Sequence, residues 1–338
     1  MMDNLVIRSI CYFTRRPDSE AGRKLNEIAG RLVQGNWAIE TKRICSTDTS
    51  IKNIAQYFGE PFLLSVGTLS TASALAQLED FFLAPDVYFN IDLSNTTIGK
   101  SDIDVLYKII ANRPEKTFNF TYVFNNAPST PFFPSASYQR DGFSIGLQST
   151  DLSDGCNSIE DWLDKCEAAW HMLVTLFGGD ADFLGIDSSV APFYMGKSSL
   201  VNFVNKLGLT FSKSATSTLY TTISRHIKDN NPRPIGLCGL MFPCLEDFEL
   251  AEEYDQGNFT LERNIFLSLH SGLGVDTYPI GTDEKPERVI EILSLLQNLS
   301  DKYRKPLSAR FVSDGIARIG QKTNFQNPFL KDVVVRSL

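Results

Sequence analysis

Three short stretches of the sequence place an aspartate and a small hydroxyl residue directly after an apolar run. Two of them share Leu-Gly-(Ile/Val)-Asp-(Ser/Thr) and contain Asp187 and Asp276, and a weaker third, YFNIDLSN, contains Asp92. Apolar strands of α/β proteins commonly end at the face where ligands bind, so these aspartates are predicted to share one site. There they would act as general bases, metal ligands or partners of arginine. The alternative is helix N-capping, for which Asp-Ser-Ser and Asp-Thr are suitable sequences.

Three arginines, Arg8, Arg43 and Arg310, each interrupt an apolar segment with strand-like composition. A buried guanidinium without a partner is unfavourable, so each needs a carboxylate, a ligand anion or access to solvent. Arginines that face the inside of a barrel would suit bidentate binding of a carboxylate or phosphate. The alternative is internal ion pairing with the three aspartates. Both interpretations predict that the arginines lie close together.

Other candidates have two interpretations each. His270 precedes the glycine-rich turn before Asp276 and would carry protons there, or else cap a helix C-terminus. Lys213 lies among hydroxyl residues in SKSATS, which fits anion binding at a helix N-terminus as well as ordinary capping. Glu246 and Asp247 would supply acid–base chemistry, but a solvated acidic first turn of a helix is the favoured interpretation. Mg²⁺ between these two carboxylates and a phosphate is conceivable, although no metal-ligand spacing requires it.

Strand-like and helical segments alternate along the chain with short connections, which predicts a largely parallel α/β sheet or barrel. About five strands fall within residues 1–125 and about five within 140–338, and a proline-rich loop, 125–139, forms a lid or a crossover between the halves. We predict a single domain over 1–338. The segments used below are predicted as strands at 5–13, 37–45, 235–241 and 307–312, and as helices at 19–34, 70–82 and 100–112.

Composition excludes several classes of protein. The formal net charge is −8 and no dense run of Lys or Arg occurs, which opposes sequence-independent nucleic-acid binding. Arg8 interrupts the first apolar run, so the N-terminus does not resemble a signal peptide, and no stretch is apolar enough to span a membrane. We therefore expect a cytoplasmic protein. The six cysteines match no zinc pattern and are expected to be free thiols. Fingerprints for nucleotide binding or a serine nucleophile are also missing.

Six segments in this order resemble the family known as domain of unknown function 711: VIRSICYF, GIDSSVAPF, NKLGLTFS, CGLMFPCLEDFELAEEY, LGVDTYPIG and KPLSARF. The resemblance extends from about Val6 to beyond Arg310. It implies a fold similar to the glycyl radical enzymes, a ten-stranded α/β barrel of two five-stranded halves. It implies little about function, because the family has no assigned reaction.

Two departures limit what the resemblance implies. Ser271 stands where the family usually has a cysteine, so thiol chemistry is not expected at that position. The segment from Arg310 to Gly315 is not the Arg-Val-x-Gly-aromatic loop of glycyl radical enzymes, and no cysteine occupies a matching central loop. We therefore expect the fold without the radical.

These observations lead to two hypotheses. In the first, a non-radical enzyme, whose reaction class is not assigned, acts on a small anionic metabolite, a carboxylate or phosphate, inside the barrel. In the second, a metabolite-binding or regulatory protein has the same pocket but no turnover. No cofactor is required by the sequence, and self-association is compatible with such a barrel. The site residues of the first hypothesis are Asp187, Asp276 and His270 for proton transfer, and Arg8, Arg43, Arg310, Lys213 and Ser271 for binding.

Overall fold

The computed structural model describes residues 5–59 and 61–338. Its strands are β1 Leu5–Thr14, β2 Trp37–Ile39, β3 Lys42–Ser46, β4 Phe62–Leu69, β5 Val87–Asp92, β6 Phe120–Phe124, β7 Gly142–Leu147, β8 Phe183–Asp187, β9 Gly274–Pro279 and β10 Leu307–Val312. Its α-helices are α1 Ser19–Gln34, α2 Ile51–Tyr57, α3 Thr71–Ala76, α4 Leu78–Leu83, α5 Lys100–Asn112, α6 Ile159–Phe177, α7 Leu200–Lys206, α8 Phe211–Ser214, α9 Leu219–Asp229, α10 Phe248–Asp255, α11 Leu261–His270 and α12 Pro286–Tyr303.

All ten strands belong to one mixed sheet, which confirms the predicted α/β class and strand number. The strand order is β8-β7-β1-β3-β4-β5-β6-β10-β9, and β2 pairs with the start of β1. Strands β1, β3, β4, β5 and β6 run parallel to one another. Strands β7 and β8 are parallel, as are β9 and β10, but β7 is antiparallel to β1 and β10 is antiparallel to β6. The two halves of the sheet therefore run in opposite directions.

The two edge strands, β8 and β9, are separated by the irregular segment 234–243. This segment forms single parallel bridges to both edges, at Ile186, Val190, Gly272 and Asp276. Among residues 5–59 and 61–338, no continuous ladder closes the sheet at this point. The predicted strand at 235–241 is thus wrong as a regular element. Left-handed backbone conformations at Gly236 (φ 73°) and Cys238 (φ 45°) interrupt the extended chain there.

Several helices begin and end where local sequence signals predict. Helix α1 has the predicted bounds, and its N-cap is Asp18, whose carboxylate accepts from the backbone N–H of Ala21. Its Leu25, Ile28 and Leu32 are buried against the sheet because they share one face of the helix. The predicted helix at 70–82 is instead split into α3 and α4. Gln77 leaves helical geometry at the break, and its side chain accepts from the backbone of Ile51.

The proline-rich loop is largely buried and forms the crossover from β6 to β7. Phe132 and Phe133 are buried, and the side chain of Asn90 on β5 donates to the backbone of Pro134 and Ala136. Ser9 on β1 donates to the carbonyl of Pro131. These bonds satisfy backbone groups that would otherwise be buried without partners. The loop therefore carries the chain through the sheet interior from β6 to β7.

The buried apolar side chains of the described chain form two clusters. The larger one extends from Leu5 to Leu338 and includes Trp162 and Trp170, and a smaller one includes Phe13, Tyr88 and Phe133. All six cysteines are free and buried, as expected. The single-domain prediction for 1–338 stays a prediction, and its residues 1–4 and 60 lie outside the described part. No helix of the described chain is both long enough and apolar enough to cross a membrane.

Candidate functional site

A cavity of about 610 Å³ lies inside the sheet and is lined by both halves. On β9 and β10 its lining residues are two positions apart, Gly274 with Asp276 and Ser308 with Arg310. This is the spacing of side chains on one face of a strand. The first half contributes Arg8 from β1, Arg43 from β3, Tyr88 from β5 and Thr121 from β6, and irregular segments contribute Phe193, Leu237 and Glu246.

Four of the predicted site residues meet in this cavity, namely Arg8, Arg43, Arg310 and Asp276. Arg310 is 6% exposed; its Nε donates to Asp276 Oδ1 at 2.7 Å and its Nη2 to Glu246 Oε1 at 2.5 Å. The other Glu246 oxygen lies 3.7 Å from Arg8 Nη2, and Arg8 Nη1 donates to Glu40 at 2.7 Å. The internal ion-pair interpretation is therefore correct for Arg310 and Asp276.

Each of the three guanidinium groups also lies over an aromatic ring. The distance from Cζ to the ring centroid is 3.7 Å for Arg8 over Phe193, 5.0 Å for Arg43 over Phe133 and 4.9 Å for Arg310 over Phe118. Such stacking holds the planar group in one orientation and is favoured by the ring quadrupole. The arginines are thus fixed before any ligand arrives.

Arg43 differs from the other two because it contacts no carboxylate in the described part of the chain. It is 7% exposed, and its Nε donates to Thr41 Oγ1 at 3.0 Å. No Asp or Glu of residues 5–59 and 61–338 has an oxygen within 4.0 Å of its guanidinium. Burial, and then repulsion from Arg8, lower the pKa of Arg43 to about 10, so the group is still cationic at neutral pH. The cavity therefore contains a buried positive charge that a bound anion would neutralise.

Glu246 is the carboxylate at the centre of the ion-pair network. Burial raises its pKa, although Arg310 opposes the shift, and the negative charge of Asp276 raises it further. Burial alone would lower the pKa of Arg310, but Asp276 and Glu246 outweigh burial, so its pKa is raised. A carboxyl group with a raised pKa inside a cavity is suited to exchanging a proton with a ligand.

The interpretation of Glu246 and Asp247 as a solvated helix turn is wrong. Glu246 faces the cavity, and Asp247 is fully buried, where it caps α10 by accepting from Leu250 and also accepts from Leu200. Burial raises the pKa of Asp247 to about 7. The signal for Glu246 was its position at the end of an apolar run, because residues 242–245, which follow the segment 235–241, are apolar as well. Tyr88, which also lines the cavity, was missed although it lies in the third aspartate stretch.

Asp187 does not line the cavity. Its carboxylate is fully buried and accepts from Thr130 Oγ1, from both the backbone and the hydroxyl of Ser189, and from the backbone of Leu237 and Cys238, at 2.6–3.0 Å. A Cβ on Gly236 would lie 2.3 Å from Asp187 Oδ2. Asp187 thus holds residues 236–238 in place, and Leu237 of this segment lines the cavity.

We predict that Asp187→Ala lowers the free energy of unfolding by about 3 kcal/mol, because several buried donors lose their acceptor. Urea denaturation followed by circular dichroism measures the change. Thr130→Val removes one of the five bonds and should lower stability by about 1 kcal/mol. The matched control is Asp164→Ala, because Asp164 is exposed on α6 and should change stability by less than about 0.5 kcal/mol. Equal stability of Asp187→Ala and the control would contradict the structural role.

Asp92 and Lys213 also lie away from the cavity. Tyr88 is near the start of β5 and lines the cavity, whereas Asp92 is four residues further on, about 13 Å along an extended strand. There it is exposed and accepts from Ser94. Lys213 is exposed in the short helix α8, where Thr210 provides the N-cap.

His270 and Ser271 contact each other rather than the cavity. His270 ends α11; its Nδ1 lies 2.7 Å from the Ser271 hydroxyl, and its ring packs edge-on against Phe266. Burial, together with the positive charge of Lys305, lowers the pKa of His270. Ser271 is the C-cap of the helix. His270 thus lies at the helix C-terminus, as in the capping alternative, but its ring bonds the Ser271 hydroxyl and, among the described residues, no backbone carbonyl.

Within the part of the chain that the structure describes, no three His, Cys, Asp or Glu side chains are grouped to hold a metal ion. Three acidic groups of the cavity lining, Glu40, Glu246 and Asp276, lie beside arginines. Arg310 contacts both Glu246 and Asp276, and Arg8 contacts Glu40. The arrangement therefore offers guanidinium donors to an anion and two carboxyl groups that can move a proton.

The comparison with family models matches residues 97–326 to the family described as "Uncharacterised ACR (DUF711)". This range is more than half of the chain and confirms the predicted family. It includes Glu246, Asp276 and Arg310, but it begins after Arg8 and Arg43, whereas the sequence resemblance was predicted to start near Val6.

The comparison with curated proteins finds no match. Among solved structures, a match is a chain named "Anaerobic ribonucleotide reductase", which is 8% identical with a TM-score of 0.23. The match covers 91% of this chain and 70% of that one. A TM-score this low supports no conclusion about the fold.

Proposed function

We propose that this chain, which belongs to the DUF711 family, whose description names no reaction, is a non-radical enzyme acting on a small anionic metabolite in the cavity. The observation that carries the proposal is Arg43, a buried guanidinium in a cavity of about 610 Å³ with no carboxylate partner among the described residues. A carboxylate or phosphate of a ligand would supply the missing charge. Arg8, which lies beside Arg43, would assist in binding.

Proton transfer in this proposal belongs to Glu246 and Asp276. Both line the cavity and both contact Arg310. Glu246 has the raised pKa and would hold or deliver a proton, while Asp276, on the other side of Arg310, would take one up. Tyr88, whose pKa is raised by burial, would donate a hydrogen bond to the same ligand. Asp187 and His270 have no part in this proposal, because neither lines the cavity.

A second candidate is a metabolite-binding or regulatory protein without turnover. It is favoured by the ion pairs themselves, because both candidate proton-transfer groups are already engaged by Arg310 at 2.5 and 2.7 Å. Each carboxylate would have to give up a hydrogen bond from Arg310 before it could accept a proton at the same oxygen. The two candidates share the anion-binding step through Arg43 and differ only in whether the bound anion is then converted.

The test is to incubate the purified protein with a mixture of organic acids and phosphate esters and to follow each compound by mass spectrometry. The proposal predicts that at least one anion is consumed, that Glu246→Gln stops consumption but keeps binding, and that Arg43→Met stops both. The matched control, Arg23→Met, alters an exposed arginine on α1 and should behave as the unmodified protein. An anion that is retained but never converted would refute turnover and favour the second candidate. If no compound were bound or consumed, both would be contradicted.

A further inference from the structure

The charges around the cavity define how many anionic groups its ligand needs. The lining contains four cations, Arg8, Lys42, Arg43 and Arg310, and four carboxylates, Glu40, Asp86, Glu246 and Asp276. Arg8 and Arg310 contact Glu40, Glu246 and Asp276, whereas Lys42 and Asp86 are only half-buried and Lys42 donates to Asn26 Oδ1. Arg43 is therefore the one buried cation of this lining without a carboxylate contact among the described residues, and a second negative charge on a ligand bound to it would approach the neighbouring carboxylates.

The walls of the cavity are mainly aromatic and aliphatic. Rings come from separate parts of the chain, including the interior loop, the starts of the strands and the C-terminal segment, and they are those of Tyr88, Phe118, Phe133, Phe193, Phe242 and Phe329. Cavities of roughly 300–1,000 Å³ hold drug-sized ligands, and this one has about 610 Å³. An anion as small as phosphate would leave most of this apolar surface in contact with water.

Phe329 extends the aromatic wall to the surface. Its ring is 42% exposed and stacks on Phe193 with centroids 5.7 Å apart and planes at 26°. Phe193 also contacts the guanidinium of Arg8, whose Cζ lies 3.7 Å from the centroid of the Phe193 ring. A flat apolar body entering the cavity would therefore pass along Phe329 and Phe193 before its charged group reached Arg43.

We infer that the ligand is a monoanion with a flat apolar body, such as an aryl carboxylate, whose single negative group binds Arg43 and whose body lies between the aromatic rings. This inference rests on the proposed function, because it names the class of anion that the same cavity takes. It differs from the general proposal by excluding dianions and small polar anions as the preferred ligands.

The test is calorimetric titration of the full chain near neutral pH with 2-naphthoate, naphthalene-2-carboxamide, naphthalene-2,6-dicarboxylate, acetate and inorganic phosphate. We expect 2-naphthoate to bind roughly 100-fold more tightly than acetate, because a buried aromatic body adds apolar contact area. The neutral carboxamide and the dicarboxylate should each bind at least roughly 10-fold more weakly than 2-naphthoate, since one lacks the charge and the other adds a charge without a partner. Phe329→Ala should weaken the binding of 2-naphthoate roughly 5-fold and leave the binding of acetate unchanged.

The outcomes separate this inference from the proposed function. If phosphate, acetate or the dicarboxylate bound more tightly than 2-naphthoate, and Arg43→Met removed that binding, the monoanion inference would be wrong while anion binding at Arg43 would stand. If the carboxamide bound as tightly as 2-naphthoate, or if no probe depended on Arg43, both would be overturned.

Discussion

Replacing Arg310 with methionine is expected to lower the free energy of unfolding by about 3–5 kcal/mol. Arg310 is the cation between two buried carboxylates, with Nε 2.7 Å from Asp276 and Nη2 2.5 Å from Glu246. Methionine fills a similar volume but leaves both carboxylates without this partner in a cavity of low polarity. One of them would then have to take up a proton for the protein to stay folded. Urea denaturation followed by circular dichroism measures the loss.

Two further variants separate charge from packing at Arg310. Arg310→Lys keeps a positive charge but cannot contact both carboxylates in the same way, so its loss of stability should lie between those of methionine and the wild type. Arg23→Met, on the exposed face of α1, is the matched control and should change stability by less than about 0.5 kcal/mol. If Arg310→Met were as stable as this control, the ion-pair network would not stabilise the fold, and the role assigned to Arg310 would be wrong.

The same substitution at Arg43 is expected to have the opposite effect on stability and to abolish anion binding. Arg43 is as buried as Arg310, but no carboxylate of the described residues contacts it, and Arg8 repels it. Removing a buried charge without a partner should raise the free energy of unfolding by roughly 1–3 kcal/mol. The anion loses its main charge partner, which should weaken its binding at least roughly 50-fold. Denaturation and calorimetric titration of one protein preparation measure both quantities.

The opposite signs make this pair of variants informative. A site kept for function commonly lowers stability, whereas a structural ion pair raises it. If Arg43→Met were destabilised by as much as Arg310→Met, Arg43 would be a structural residue and the observation that carries the proposed function would be lost. If it were more stable and still bound the anion, the ligand would be recognised elsewhere.

Local sequence signals predicted those parts of the fold that local physics determines. Helices α1 and α5 and strand β10 have the predicted bounds. In α1 an N-cap, an apolar face and a glycine C-cap all agree. The arginine prediction succeeded for a similar reason, because a charge inside an apolar strand needs a partner whatever the topology. Arg8, Arg43 and Arg310 accordingly line one cavity.

The aspartate prediction failed where it depended on topology. It assumed that all strands end at one face, but the two halves of the sheet run in opposite directions. Asp92, at the end of β5, lies about 13 Å along the strand from Tyr88, which lines the cavity. Asp187 and Asp276 follow similar short strings, yet one is enclosed by donors and the other faces the cavity. The five-residue pattern that the two segments share does not determine whether its carboxylate is buried among backbone donors or faces the cavity.

Two long-range features also could not be predicted from local patterns. The segment 235–241 is as apolar as a strand, but it lies in the gap between two edges and bends there to meet Asp187. The loop 125–139 has the composition of a surface loop, but the sheet interior supplies partners for its backbone. Glu246 was misassigned for the same reason, because its burial depends on Arg310, which is 64 positions away.

The most direct test of the central claim is native mass spectrometry of the freshly purified protein beside Arg43→Met, with denaturing analysis of any released compound. We expect the wild-type protein to carry an added mass that denaturation releases as an anionic organic compound, and Arg43→Met to carry none. The same compound at equal occupancy on both proteins, or a compound without a negative charge, would contradict the claim that Arg43 binds an anion in this cavity.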